Sequence, residues 1–216
     1  MYHVKEAFYT LQGEGAQAGR ASVFCRFSGC NLWSGREKDR SSAQCQFCDT
    51  GFVGTDGLNG GRFHDAPALA QHLHALWPDS THGTPYVVFT GGEPLLQLDN
   101  ALINALHDSG FEIAVETNGT LPAPEGIDWL CVSPKGLNSL AITTGQELKL
   151  VYPQDDAAPE AFADLAFTHF LLQPMDTSFL PDASAQEKAV SQATKYCLNH
   201  PQWRLSMQIH KIAGFA

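Results

Sequence analysis

Short apolar segments recur along this chain, and small or polar residues follow several of them directly. Segments 85–89, 111–115 and 129–132 are followed by TGGEP, ETNG and SPKG, and segment 168–172 is followed by QPMD. A further strand is predicted at 203–209. In parallel α/β folds, ligands bind at the carboxyl ends of the strands. The pattern therefore predicts parallel strands that end around a shared ligand site.

Predicted helices separate several of these strands, at residues 65–77, 95–109, 159–166 and 183–199. Such alternation is typical of a parallel sheet that curves towards a barrel. A full eightfold barrel needs about 250 residues, and this chain has 216. We therefore expect an α/β fold with an incomplete, TIM-like barrel of about six parallel strands and fewer helices. No repeat or linker divides the sequence, so a single domain is expected over residues 1–216.

Three of the six cysteines form a compact motif with one long gap. Cys30, Cys45 and Cys48 follow the pattern C-x14-C-x2-C, and the gap is a polar segment that predicts a surface loop. Three thiolates without an obvious fourth ligand indicate a metal centre with one open position. A zinc site completed by a histidine such as His64 is the structural alternative. The cysteines alone leave zinc and iron–sulfur both open.

Charge and composition narrow the classes of partner. The chain has 23 acidic and 13 basic residues, a net charge of −10. This balance disfavours nonspecific binding to nucleic acid or to an anionic membrane. No stretch resembles a signal peptide or is apolar for the length of a bilayer span. We expect a cytoplasmic protein whose thiols stay reduced, so that its cysteines act as ligands or core residues.

Several polar residues have two interpretations from local sequence alone. Arg26 interrupts an apolar strand and suits either a bound carboxylate or a surface ion pair. The QGEG segment from Gln12 allows close approach of its backbone to a ligand, or forms a plain turn. Glu116 suits a ribose contact or a turn. Lys149 lies on the polar face of an alternating strand, a position that suits a simply solvated side chain.

The ordered set of motifs resembles a known family. Three cysteines ending in CQFC, with TGGEP after the next core strand, resemble the radical S-adenosylmethionine (SAM) enzymes. Together with QGEG, CDT, ETNG, SPK, QPMD and the late HK pair, they resemble the 7-carboxy-7-deazaguanine synthases over essentially the whole chain. The usual radical SAM spacing is C-x3-C-x2-C, and the longer first gap here is shared by some members of that synthase family.

The resemblance implies two cofactors at the cysteine motif. Cys30, Cys45 and Cys48 would ligate three irons of one 4Fe–4S cluster per subunit, with SAM on the fourth iron. One electron would then cleave SAM to a 5′-deoxyadenosyl radical, which suits a low-potential cluster. The residues that the resemblance assigns to SAM are Phe47, Asp49, Gly92, Glu116, Ser133, Pro134, Lys135, Gln173, Pro174, Met175 and Asp176.

The resemblance also implies a substrate. The family converts 6-carboxy-5,6,7,8-tetrahydropterin into 7-carboxy-7-deazaguanine with loss of ammonia, on the route to queuosine and other 7-deazapurines. The radical would take hydrogen from C6 and the hydrogen would later return, which makes SAM a catalytic cofactor. The residues implied in substrate binding are Leu11, Gln12, Gly13, Glu14, Arg26, Thr90 and the terminal carboxylate of Ala216.

A second metal and further partners follow from the same resemblance. Thr50 matches the family's Mg²⁺ position, and a hard ion of this kind takes oxygen ligands. An external electron donor such as flavodoxin or ferredoxin and a homodimer are also implied. The alternative within radical SAM chemistry is an enzyme that installs a glycyl radical on a protein partner. Those enzymes usually keep the short cysteine spacing and would not need the QGEG turn.

Overall fold

One sheet organises the computed structural model, which describes residues 1–78, 82–177 and 184–215. Its nine strands are β1 Tyr2–Leu11, β2 Ala21–Phe27, β3 Gly61–Phe63, β4 Tyr86–Gly91, β5 Glu112–Thr117, β6 Trp129–Val132, β7 Thr144–Tyr152, β8 Ala166–Pro174 and β9 Trp203–Leu205. The four α-helices in those ranges are α1 Ala66–His74, α2 Asn100–Asp108, α3 Ala185–Asn199 and α4 Ile209–Ala213.

The strand order is β3-β1-β2-β4-β5-β6-β7-β8-β9. Every neighbouring pair from β2 to β9 is parallel, whereas β1 is antiparallel to both β2 and β3. Among the described strands, β3 and β9 remain the two edges, so the barrel is not closed. The predicted incomplete α/β barrel is confirmed. Its parallel part has seven strands, and the antiparallel pair adds two at one edge.

Helices cover the outer face of the sheet in two groups. Leu69 and Leu73 of α1 and Leu102 and Leu106 of α2 are fully buried in one cluster with β1, β2, β4 and β5. Ala193 of α3 belongs to a second cluster, with β7 and β8. A third, smaller cluster of Tyr86, Val88 and Ala114 lies apart from these two. In β4, Tyr86 and Val88 alternate with Val87 and Phe89 of the first cluster, so the inner face carries both apolar and polar side chains. No helix in the described residues is both long and apolar enough to cross a membrane.

Local capping explains where the helix predicted at 95–109 departs from the structure. Pro94–Leu96 forms only a short 3-10 turn. The α-helix begins at Asn100, because the Asp99 carboxylate accepts a hydrogen bond from the Leu102 backbone N–H at 3.0 Å. The first part of the segment therefore belongs to the loop that follows β4.

Two further predicted elements are shorter than expected. The helix predicted at 159–166 is a 3-10 turn at Pro159–Ala161, because β8 already begins at Ala166. The strand predicted at 203–209 ends at Leu205, and α4 follows it. The Ser206 backbone N–H still donates to the Leu172 carbonyl at 2.9 Å, but the Ile209 N–H donates to the Gly13 carbonyl of the loop after β1, so the chain leaves the sheet before α4. The start of the helix predicted at 183–199 lies partly outside the described residues.

Candidate active site

An open cavity of about 1240 Å³ lies at the carboxyl ends of the parallel strands. Residues from the loop after β1, from the cysteine loop and from the ends of β4 to β8 all line it. The predicted residues among its lining are Leu11, Gln12, Gly13, Glu14, Arg26, Cys30, Cys45, Phe47, Cys48, Asp49, Thr50, Thr90, Gly92, Glu116, Ser133, Lys135, Gln173, Pro174, Met175 and Asp176.

Two predicted residues are not among them. Pro134 is not among the residues that line the cavity, and its carbonyl oxygen accepts a hydrogen bond from the buried Gln154 Nε2 at 3.3 Å. It joins Ser133 to Lys135, which do line the cavity, and its contact with SAM stays a prediction. Ala216 lies outside the described residues.

All three motif cysteines face the cavity. Cys45 and Cys48 share a hydrogen bond, which raises the pKa of Cys45 and lowers the pKa of Cys48. Burial raises the pKa of Cys30, while the Leu32 backbone N–H approaches the Cys30 Sγ at 3.4 Å. The thiols thus sit in one partly buried group, with backbone donors available to a thiolate.

The donor set fits an iron–sulfur cluster. The three motif cysteines line one cavity. Cysteine thiolates are the usual ligands of a 4Fe–4S cluster, and three of them leave the fourth iron open to another ligand. His64, the candidate fourth zinc ligand, is exposed, contacts Asp65 and does not line the cavity.

The TGGEP segment ties the end of β4 to the end of β5 through Glu93. This carboxylate is fully buried and accepts hydrogen bonds from the Thr117 hydroxyl at 2.7 Å and from the Asn118 backbone N–H at 2.8 Å. Burial raises its pKa, although these donors act in the opposite direction. Sequence reasoning left Glu93 out of the site. Its position between two glycines and a proline was the available signal.

Gly92 packs directly against the cysteine loop. A Cβ built on Gly92 would lie only 2.7 Å from the Cβ of Cys30 and would also overlap the carbonyl of Gly29. That carbonyl accepts a hydrogen bond from the Glu93 backbone N–H at 2.9 Å. The absence of a side chain at Gly92 therefore brings the strand-end loop into contact with the first cysteine.

A buried ion network forms the floor of the cavity. Lys149 Nζ lies 2.6 Å from a Glu14 oxygen and 3.4 Å from a Glu116 oxygen. Gln208 donates to the other Glu14 oxygen at 2.8 Å, and Gln12 donates to Glu116 at 2.9 Å. Because Lys149 is only 3% exposed, the interpretation that it is solvated was wrong.

Each charged group in this network favours the charged form of its neighbour. Burial alone would raise the pKa of Glu14 and lower the pKa of Lys149. The attraction between the two, with the help of Glu116 and Gln208, reverses both directions, so that the pKa of Glu14 is lowered and the pKa of Lys149 is raised. Both groups are therefore charged at neutral pH.

Arg26 and Thr90 occupy opposite positions on neighbouring strands. Arg26 of β2 pairs with Thr90 of β4, and both residues line the cavity. The Arg26 Nε donates to Glu6 at 2.8 Å. This ion pair leaves the Nη groups as the part of the guanidinium that can meet a ligand. The surface alternative and the ligand alternative are thus compatible.

The C-terminal helix α4 closes one side of the cavity. The Ile209 backbone N–H donates to the Gly13 carbonyl at 2.9 Å. Lys211 Nζ contacts Asp49 of the cysteine loop at 2.8 Å and also contacts Asp176. Lys211 therefore joins Asp49 and Asp176, two residues that are predicted to bind SAM and that lie in separate segments of the chain. The HK pair was noted in the sequence, but no local pattern indicated this bridge.

Comparison with known proteins agrees with this geometry. The profile described as Radical SAM superfamily matches residues 40–147. The crystal structure of QueE from Escherichia coli superposes with a TM-score of 0.63 at 24% identity, covering 95% of this chain and 93% of that one. At this identity the likeness shows a shared fold.

Sequence relatives are much closer. A protein of Bordetella pertussis named 7-carboxy-7-deazaguanine synthase is 63% identical over 213 residues, which cover 99% of this chain and 98% of that one. A protein of the same name from Bacteroides thetaiotaomicron is 38% identical over 98% of this chain and 97% of its own. Identity of this extent along nearly the whole length places the chain in their family. This chain therefore belongs to the 7-carboxy-7-deazaguanine synthase family of the radical SAM superfamily.

Proposed function

We propose that this chain converts 6-carboxy-5,6,7,8-tetrahydropterin into 7-carboxy-7-deazaguanine with loss of ammonia. The relatives described above are named for this activity, and they match this chain over nearly their full length. The observation that carries the proposal is the one cavity lined both by the three motif cysteines and by the polar strand ends. Such an arrangement brings a cofactor on the cysteine side within reach of a small substrate on the Glu14 side.

Cys30, Cys45 and Cys48 would hold a 4Fe–4S cluster, and SAM would occupy the adjoining part of the cavity. When bound, this pair supplies a carbon-centred radical that abstracts hydrogen from the substrate. The Phe47 ring, next to Cys48, offers an apolar surface for the adenine. Lys135 is held by the Ser133 hydroxyl at 2.6 Å, which orients its ammonium group within the same cavity.

Opposite charges on the two sides of the substrate region support the orientation of a carboxylated pterin. Glu14 is an ionised carboxylate fixed by Lys149, and it suits the guanidine-like edge of a pterin as a hydrogen-bond acceptor. Arg26 suits the carboxylate of the substrate. Thr90, opposite Arg26, adds a hydroxyl. Leu11, Gln12 and Gly13 line the same cavity, and their backbone groups would bind the substrate.

Replacing Arg26 tests its assigned role. Arg26→Ala should weaken binding of the carboxylated tetrahydropterin by about 10- to 100-fold, because one charge-assisted contact is worth roughly 1.5–3 kcal/mol. Anaerobic titration calorimetry measures the dissociation constant. Arg62→Ala, which removes an exposed arginine on β3 away from the cavity, should bind substrate normally. Equal affinity in the Arg26 variant and the wild type would refute the assignment, provided that cluster content is the same.

A Mg²⁺ ion at Thr50 completes the proposal. Thr50 lines the cavity, and its hydroxyl lies 3.4 Å from an Asp49 oxygen. Oxygen ligands of this kind suit Mg²⁺, which also keeps several waters and bonds to substrate. The carboxylate of the pterin could supply a further oxygen. Thr50 would thus connect the cysteine loop to the substrate.

Removing the Thr50 hydroxyl tests the magnesium site. Thr50→Ala should raise the Mg²⁺ concentration needed for half-maximal turnover by about 10-fold, because one oxygen ligand is lost. A magnesium titration of the initial rate measures this shift. Thr50→Ser keeps the hydroxyl and should retain most of the affinity. Identical magnesium curves for the wild type and Thr50→Ala would exclude Thr50 as a ligand.

Further partners remain proposals. An external one-electron donor such as flavodoxin or ferredoxin would reduce the cluster, and a homodimer is the expected assembly. The reaction would take place in the cytoplasm, in keeping with six cysteines that are all free thiols. A single radical SAM domain over residues 1–216 is supported by the one sheet that runs from β1 to β9.

Product analysis after reconstitution tests the proposed function. Protein loaded anaerobically with iron and sulfide is mixed with SAM, a reductant, Mg²⁺ and the carboxylated tetrahydropterin. Mass spectrometry should detect 7-carboxy-7-deazaguanine, and Cys48→Ala should form none because a cluster ligand is missing. SAM cleavage without any deazaguanine would contradict the proposal. Capture of a glycyl-radical protein partner by the same preparation would favour the activating-enzyme alternative.

A further inference from the structure

The long gap in the cysteine motif contains a folded segment that contacts the CxxC turn. Residues Glu37–Ser42 form a 3-10 turn between Cys30 and Cys45. Arg40 extends from this turn and donates from Nη1 to the Gln46 carbonyl at 2.9 Å and to the Cys48 carbonyl at 3.0 Å. One guanidinium nitrogen therefore joins two carbonyls of the turn that carries two of the motif cysteines.

Arg40 is itself held on its other sides. Its Nε and Nη2 donate to the two oxygens of Glu37 at 2.8 and 2.6 Å, a bidentate pair. The guanidinium carbon lies 4.1 Å from the centre of the Trp33 ring. Trp33 is 7% exposed and packs edge-on against Phe52 at 5.6 Å. A continuous line of contacts thus runs from the buried aromatic pair to the CxxC turn.

We propose that Arg40 is a positioning residue that fixes the CxxC turn for cluster binding, an inference that rests on the proposed function. A short C-x3-C gap restricts its cysteines through the chain itself. A gap of fourteen residues adds little closure cost but leaves the two ends free to adopt more relative positions. The Arg40 contacts remove that freedom, because they connect the inserted turn to the carbonyl oxygens of Gln46 and Cys48.

The geometry requires arginine in particular. A planar guanidinium can bind Glu37 along one edge and the two carbonyls along the other while its face rests on Trp33. An ammonium group has no flat face and no second edge, so lysine can keep the charge but not the set of contacts. Arg40→Lys therefore separates positioning from a simple effect of positive charge near the cysteines.

Three variants and a matched control test the inference. Arg40→Gln and Arg40→Lys remove the contacts, and Glu37→Gln loosens Arg40 without touching the CxxC turn. Lys38→Gln is the control, because Lys38 is an exposed cation on the same 3-10 turn and its loss changes the charge equally. Melting temperatures of all proteins are compared first, so that a local effect is separated from global unfolding.

Two readouts do not depend on catalysis. Backbone hydrogen exchange of the metal-free protein reports opening of residues 44–50. The rate at which an iron chelator bleaches the reconstituted cluster reports how firmly the loop holds it. Arg40→Gln and Arg40→Lys should each accelerate both rates by about 10-fold with little change in melting temperature, and Glu37→Gln should have a smaller effect in the same direction.

The outcomes separate this inference from the proposed function. Exchange and bleaching rates in Arg40→Gln that match those of Lys38→Gln would overturn it. Full protection in Arg40→Lys with loss only in Arg40→Gln would also overturn it, because charge alone would then explain the effect. A wild-type protein that binds the cluster but forms no deazaguanine would refute the proposed function. The exchange and bleaching rates would still test the role of Arg40, because neither rate depends on turnover.

Discussion

Gly92→Ala should sharply reduce cluster loading and lower turnover by on the order of 100-fold, the magnitude expected when a reacting group is displaced by about 1 Å. The added Cβ would lie 2.7 Å from the Cβ of Cys30 and would overlap the Gly29 carbonyl. Neither neighbour is the end of a flexible side chain, so the cysteine loop has to move as a whole. The hydrogen bond from the Glu93 N–H to Gly29 would break with it.

Iron content per chain after anaerobic reconstitution measures this effect directly. We expect Gly92→Ala to retain less than about a quarter of the wild-type iron, given the loss of position at Cys30. Gly83→Ala is the matched control, because a Cβ there meets no atom within 4 Å and the residue does not line the cavity. Wild-type iron content and turnover in Gly92→Ala would show that the cysteine loop tolerates the displacement.

Lys149→Met should lower the free energy of unfolding by about 3–5 kcal/mol, since it leaves buried carboxylates without their counter-ion. Lys149 is 3% exposed and lies 2.6 Å from Glu14 and 3.4 Å from Glu116. Substrate affinity should fall as well, because Glu14 would lose the contact that keeps it ionised and oriented. Urea unfolding at neutral pH gives the first quantity, and anaerobic titration gives the second.

Two comparisons identify the cause of that loss. Lys5→Met removes a lysine that also lies 2.6 Å from a carboxylate, that of Asp56, but the Asp56 side chain is 80% exposed. It should cost less than about 1 kcal/mol. Glu14→Gln added to Lys149→Met should recover part of the lost stability, because one uncompensated charge is removed. Equal losses for Lys5→Met and Lys149→Met would contradict a buried network.

The sequence predicted the parallel part of the fold because its strands carry a strong local signal. β4 is an uninterrupted apolar strand that is buried from Tyr86 to Phe89, and it runs directly into TGGEP. The outer edge carried no such signal. β1 pairs antiparallel with both β2 and β3, and β3 has three residues with none fully buried. Partner choice at this edge depends on contacts distant in sequence.

The polar interior of the curved sheet explains what sequence reasoning missed. In β7, Glu147 and Lys149 alternate with Leu148 and Leu150, a pattern typical of one solvated face and one core face. Here both faces are covered, with exposures of 2, 0, 3 and 0% from Glu147 to Leu150. Alternation indicates which residues share a face, but it does not show that the polar face lines an interior cavity.

The site itself was predicted in outline from ordered motifs. Nearly all the assigned residues line one cavity, while their individual roles stay predictions. Glu93 and Arg40 were missed because their partners are backbone and side-chain groups that only the folded chain brings near. The bridge from Lys211 to Asp49 joins residues 162 positions apart and has no local pattern at all.

The ratio of product formed to SAM consumed tests the central claim most directly. Cluster-loaded protein is incubated anaerobically with limiting SAM, excess carboxylated tetrahydropterin, reductant and Mg²⁺, and both compounds are quantified over time. A 7-carboxy-7-deazaguanine synthase that returns the hydrogen to its cofactor should form many equivalents of product while SAM remains largely intact. Consumption of SAM in equal proportion to product, or consumption without product, would contradict the account.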